Sequence, residues 1–260
     1  MNCPRCRDLA LLSGNRVNAV TNHDGAGMTR RSLFGITAAT AATLAVAAPA
    51  AAASGRQADP KDTPLNADQA WRKLVNGNKR FVEGRQKHPH ESLEWRQSLA
   101  NGQHPFAVIL SCADSRVSPE LVFDEGLGDL FVIRSAGEVL DTAVIGSIEY
   151  AIEHLAVPLI VVVGHESCGA VGAAIELVKG NAELTGDIAT LVRAVEATVR
   201  AVPHDDDEKA FFAACVAEQA RRSAAYLLER SNLVRDAIAN HGVKIISATY
   251  DLDTGQVVTV

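Results

Sequence analysis

Phe106-Ala-Val-Ile-Leu110-Ser-Cys112-Ala-Asp114-Ser-Arg116 is an apolar run that ends in a thiol, a carboxylate and a guanidinium. Apolar character without alternation suits a strand covered on both faces, as in a parallel sheet. Open α/β sheets bind their ligands at the carboxyl ends of such strands. A second stretch has the same form: Leu159 to Val163 is apolar and leads into Gly164-His165-Glu166-Ser167-Cys168-Gly169. Two strand ends therefore offer Cys112, His165 and Cys168. Two thiolates and an imidazole, with a fourth corner left for water, form the ligand pattern of a catalytic zinc, and the two-residue gap between His165 and Cys168 is a usual half-site spacing. A lone cysteine at a strand end reads as packing; the three together, with Asp114 and Arg116 beside the first, read as chemistry. Serine hydrolysis fits poorly, because Gly164 to Gly169 has one residue too many for a Gly-x-Ser-x-Gly elbow. A cysteine nucleophile with His165 as base stays open, but it leaves the second cysteine without a role.

Outward from these strands the pattern alternates. Leu130 to Ile133 and Val243 to Thr249 read as further strands, with Val257 to Val260 after the turn at residues 251–255. Helical spacing marks Thr142 to Leu155, Gly169 to Val178, Asp187 to Val202 and Asp207 to Arg230. The fold class expected is α/β, a mainly parallel sheet flanked by helices. Ahead of the first strand, Asn66 to Gly84 carries Ala70, Leu74, Val75, Phe81 and Val82 at helical spacing, with Asn66 as cap. This helix has no place inside a βαβ unit. It is expected outside the core or on a partner subunit, and its apolar stripe argues for a homodimer. Glu91 to Asn101 reads as a shorter helix.

The whole chain of 260 residues has a formal charge of −6. Residues 1–53 hold five Arg and two Asp, so the remainder carries about −9 and lacks the basic face that nucleic acid needs. From Met28, an alternative start, the sequence runs Thr29-Arg30-Arg31-Ser32-Leu33-Phe34 into an Ala-rich stretch that ends at Ala51-Ala52-Ala53. Paired arginines, a weakly apolar region and small residues look like a twin-arginine export signal cleaved near Ala53. The expectation is an exported protein, periplasmic or extracellular, with no stable membrane span after cleavage and a mature end near Ser54, which N-terminal sequencing would read. The organisation is then an N-terminal extension (1–53), a linker (54–64) and one domain (65–260). With the extension removed, Cys112, Cys168 and Cys215 remain, an odd set that speaks for metal or buried roles over disulfides. Cys215 lies in a helical pattern and reads as a buried thiol. Cys3 and Cys6 are half of a zinc ribbon and a weak signal.

At this point the sequence resembles the β-class carbonic anhydrases. The resemblance rests on Cys112-Ala-Asp114-Ser-Arg116-Val, Gly128-Asp-Leu-Phe131-Val-Ile-Arg134, Ser147-Ile-Glu-Tyr150-Ala and Gly164-His165-Glu-Ser-Cys168-Gly169, in the family's order and spacing, from about residue 65 onward. It implies one zinc ion per chain on Cys112, His165 and Cys168, with Asp114 and Arg116 as a dyad beside the open position and Asp114 as a fourth ligand in a closed state. It also implies reversible hydration of carbon dioxide to bicarbonate by a zinc-bound hydroxide, with Gln103, Phe131 and Tyr150 on pocket positions and the Gly169 N–H facing bicarbonate. Dimers that pair further, with the site near the interface, are implied as well. Carbon disulfide or carbonyl sulfide as substrate, or a non-catalytic zinc protein, are the alternatives. The chain departs from the family at Ser135-Ala136-Gly137-Glu138, which is expected to put an extra carboxylate at the pocket mouth or the subunit interface.

Overall fold

The computed structural model describes residues 64–260. The arginine pair, Met28, the cleavage site near Ala53, Cys3, Cys6 and all but the last residue of the linker lie outside the described residues. No helix among those described is long and apolar enough to cross a membrane.

Five strands form one sheet in the order β2-β1-β3-β4-β5: β1 (Ala107–Ser111), β2 (Leu130–Arg134), β3 (Leu159–His165), β4 (Lys244–Tyr250) and β5 (Val257–Thr259). The first four are parallel and β5 closes one edge antiparallel. The central strands are apolar throughout because both faces are covered. Ile109, Val161 and Val163 face a cluster built with Ala70, Leu74 and Phe123. Their neighbours Val108 and Ile160 face Ile148, Ile152 and Val234 on the other side, and Leu110 and Val162 face Ala220.

The leading helix α1 (Ala67–Val82) opens with a reciprocal cap: Asn66 Oδ1 accepts from the Gln69 N–H at 2.9 Å, and Gln69 Oε1 accepts from the Asn66 N–H at 2.8 Å. It lies against this chain's own sheet, with Ala70 and Leu74 fully buried. The contact is close: a Cβ on Gly77 would fall 1.7 Å from the Phe123 carbonyl oxygen. Buried Asn78 ties α1 to the C-terminal segment, donating to the Gly255 carbonyl at 2.8 Å and accepting from the Val257 N–H at 2.9 Å. Ala70, Leu74 and Phe81 of the α1 stripe are thus covered by this chain's own core, while Val75 and Val82 stay 42% and 37% exposed, so only that part of the stripe is left for a second chain.

The expected stretch from Glu91 resolves into α2 (Leu93–Ser98) and a 3-10 turn, Leu99–Asn101; α3 (Pro119–Val122) is a single turn. Of the long helices α4 (Thr142–Leu155), α5 (Gly169–Val178), α6 (Ile188–Ala201) and α7 (Glu208–Arg230), α4 and α7 cover the sheet, while α5 and α6 pack on each other and on α7 in the cluster that holds Cys112 and Cys168. One more helix, α8 (Asn232–Asn240), was not anticipated. It starts one residue after α7, where the Ser231 hydroxyl accepts from the Val234 N–H at 3.1 Å. The chain leaves β1 towards β2 on one side of it, and β3 lies on the other. That reversal of strand order opens a crevice at the carboxyl ends of β1 and β3, where Cys112 and His165 stand.

Candidate active site

Cys112 follows β1, His165 ends β3 and Cys168 caps the N-terminus of α5. Their ligand atoms all lie within 4.8 Å of one another, with the two sulfurs 4.0 Å apart. All three residues are buried. The backbone between them is bent sharply, with Ser167 at φ +55°, a left-handed conformation that a serine adopts only where its surroundings hold it. His165 Nδ1 lies 2.8 Å from the Glu166 carbonyl oxygen, which assigns the ring proton to Nδ1. Its Nε2 is left buried with no hydrogen-bond partner.

The electrostatics point the same way. The Cys112 thiol is pulled down to about 4, mainly by a hydrogen bond from the Cys168 thiol, against burial and with help from His165 and the Gly137 N–H. The same coupling pushes Cys168 up. The Gly137 N–H donates to Cys112 Sγ at 3.4 Å. Gly137 is held at φ +68°, and a Cβ there would fall 2.8 Å from the Ala170 Cβ, so a side chain would force this donor away from the sulfur. Two buried, adjacent sulfurs beside a buried imidazole nitrogen that has no hydrogen-bond partner could hold a cation, and this donor set suits zinc.

Asp114 is gripped by Arg116. Nε donates to Oδ1 at 2.9 Å, Nη2 to Oδ2 at 2.7 Å, and the Arg116 backbone N–H to Oδ1 at 2.9 Å. The guanidinium, with that N–H, holds the carboxyl well below the usual carboxylate range. Arg116 Nη2 also reaches the Ser167 carbonyl at 3.3 Å, so it spans the two loops that carry the cysteines. Asp114 Oδ2 stands 3.9 Å from His165 Nε2.

Gly169 is the exposed first residue of α5. The other three pocket residues are not assembled here within one chain. Gln103 is exposed in the segment entering β1, at the opposite end from Cys112 of a strand roughly 17 Å long. Phe131 pairs with Val108, three register steps or roughly 10 Å before Ser111 and Arg134. Its ring lies 6.3 Å from that of Tyr150, which is 48% exposed and also touches His154.

Two parts of the site were not foreseen. Arg134 at the end of β2 donates through Nε to the Cys112 carbonyl at 2.9 Å and through Nη2 to the Asp114 carbonyl, fixing the loop between them. Its place in register with Ser111 is the signal that could have found it. Glu138 is neither at the pocket mouth nor on the surface: it is 1% exposed, at φ +53°, with one carboxylate oxygen unpartnered. Burial, and secondarily the charge of Cys112, push its carboxyl well above the usual range. Gln219 and Ser223 of α7 donate to the Gly137 and Glu138 carbonyls at 2.8 and 3.0 Å and pin this turn under the cysteines. Cys215 is fully buried as expected, and burial lifts its thiol to about 11.

A model of the carbonic anhydrase family matches residues 107–257. Carbonic anhydrase 2 of Mycobacterium tuberculosis is 45% identical over 197 residues, 74% of this chain and 92% of the relative. The carbonic anhydrase of Mycolicibacterium smegmatis is 41% identical over 202 residues, 76% of this chain and 94% of the relative. Among solved structures, a tetrameric β-carbonic anhydrase of Sordaria macrospora matches at a TM-score of 0.59 with 22% identity, over 73% of this chain and 96% of that one. The chain belongs to this family and is a β-class carbonic anhydrase.

Proposed function

We propose that the enzyme hydrates carbon dioxide to bicarbonate, reversibly, at a zinc ion held by Cys112, His165 and Cys168. The observation that carries this reading is the unpartnered Nε2 of His165, buried in a group whose other ligand atoms, the sulfurs of Cys112 and Cys168, lie within 4.8 Å of it and of each other. Zinc, when bound, supplies the Lewis-acid chemistry that makes water a nucleophile near neutral pH. Asp114 accepts a hydrogen bond from the attacking water and turns its lone pair towards carbon; the water's oxygen bonds to that carbon and its proton leaves to solvent. Arg116 keeps Asp114 ionised and turned away from the fourth ligand position, so the position stays open. The N–H of Gly169, at the positive end of α5, faces the charge that grows on the bicarbonate oxygens.

Gln103, Phe131 and Tyr150 complete the pocket when a second copy brings them to it, so the working unit is a homodimer or a higher homo-oligomer. Their distance from Cys112 within one chain supports this, as does the exposed aromatic face at Tyr150. The metal assignment is tested by elemental analysis with X-ray absorption. One zinc per chain with two sulfur ligands and one imidazole is expected, lost in Cys112→Ser; a variant that kept full zinc would contradict it.

A further inference from the structure

A chain of buried polar groups runs from α6 through α7 to the turn beneath the cysteines. Thr198, Gln219 and Ser223 are each buried, at 2%, 4% and 4% exposure. The Thr198 hydroxyl donates to Gln219 Oε1 at 2.6 Å. Gln219 Nε2 donates to the Gly137 carbonyl at 2.8 Å and to Ser223 Oγ at 3.3 Å, and Ser223 Oγ donates in turn to the Glu138 carbonyl at 3.0 Å. The order of donors is forced: a carbonyl only accepts, so the amide nitrogen must face Gly137 and the amide oxygen is left for Thr198. Both amide hydrogens and both hydroxyl protons have a partner, and a network so fully satisfied, away from water, holds one arrangement.

What it holds is a backbone that would not keep its shape alone. Gly137 and Glu138 are consecutive left-handed residues, at φ +68° and +53°. A glutamate stays in that region only where its surroundings over-determine it. The conformation has one consequence at the cysteines: it aims the Gly137 N–H at Cys112 Sγ, 3.4 Å away. An N–H on a thiolate draws electron density from the sulfur, and hydrogen bonds of this kind tune metal–thiolate sites.

We propose that Gln219 is a positioning residue for the metal site: by holding the Gly137–Glu138 turn it keeps the N–H on the Cys112 sulfur and limits how strongly that sulfur donates to a bound ion. This rests on the reading of Cys112 as a metal ligand, and extends it to a residue of α7 whose side chain bonds the turn and not a ligand. Thr198 fixes which way the amide faces, so it acts one link further out.

The test is the sulfur-to-metal charge-transfer absorption of the full chain loaded with cobalt(II) in place of zinc. A sulfur relieved of its N–H donates more readily, so its band moves to longer wavelength. Gln219→Met keeps the volume but removes the amide, and is expected to shift the band in that direction. Thr198→Val, milder and usable if the first variant fails to fold, should shift it less, and Thr198→Ser, which keeps the hydroxyl, should return it to the parent position. Leu227→Ala is the control for a general loosening of α7: it opens a cavity about two turns further along the helix, away from these bonds, and should lower stability with the band unmoved. A band at the parent position in both Gln219→Met and Thr198→Val, or an equal shift in Leu227→Ala, would overturn the proposal while leaving the metal reading intact. A parent protein with no sulfur-to-cobalt band would overturn both.

Discussion

At the scale of single residues, the proposed mechanism gives Asp114 and Arg116 the task of keeping the fourth position at the cysteines open. Unpaired, the Asp114 carboxylate is free to turn to a cation held by Cys112, His165 and Cys168, close the site with a fourth protein ligand and exclude water. Arg116→Ala is therefore expected to keep zinc stoichiometric while kcat falls roughly a hundredfold, with X-ray absorption showing an added oxygen ligand. Arg116→Lys should recover part of the rate, since an ammonium lacks the planar fork that holds both oxygens. Parent-level turnover in Arg116→Ala would contradict the gating role. Cys112, His165, Cys168, Asp114 and Arg116 were legible in the sequence because their side-chain chemistry sits at strand ends, where a sheet displays it. The Gly137 N–H was not, since a backbone donor has no letter of its own. Glu138 misled because a carboxylate reads as exposed, whereas a left-handed turn pinned by Gln219 and Ser223 takes it inside.

At the scale of elements, the strands and long helices were placed almost to the residue by apolar runs and helical spacing, and the misses have local causes. The nine residues of α8 abut α7 with only Ser231 between them, so one serine both ends a helix and caps the next. For α1 the period was readable but its partner was not: periodicity shows which face is apolar, not what covers it. The structure puts Ala70, Leu74 and Phe81 of that face on its own core and leaves Val75 and Val82 exposed, which makes a direct prediction. Leu74→Ala should cost about 2 to 5 kcal/mol in urea unfolding, while Val75→Ala, one residue on and 42% exposed, should stay within about 0.5 kcal/mol. Equal small effects would mean that α1 is not seated on this chain's sheet in solution.

At the scale of the whole molecule, the proposed chemistry is divided between copies of the chain. One chain holds the cysteines, the histidine and the Asp114–Arg116 pair together, and carries Gln103 at the far end of β1. Sequence could name Gln103 as a pocket position but not say which copy's pocket it enters, because that depends on an interface that no single-chain pattern encodes. If sites are shared, a Gln103→Ala chain and a Cys112→Ser chain, each impaired alone, complement each other when unfolded and refolded together. Random pairing of equal amounts restores about a quarter of the parent's complete sites; no recovery in verified mixed dimers would show that each chain builds its own site. The central claim, hydration of carbon dioxide at this site, is tested most directly by stopped-flow assay of the zinc-loaded protein from mildly acidic to alkaline pH. The account predicts saturable turnover with kcat/KM at least on the order of 10^6 M−1 s−1, abolished in Cys112→Ser. Full zinc occupancy with no hydration above the buffer rate at any pH would contradict it.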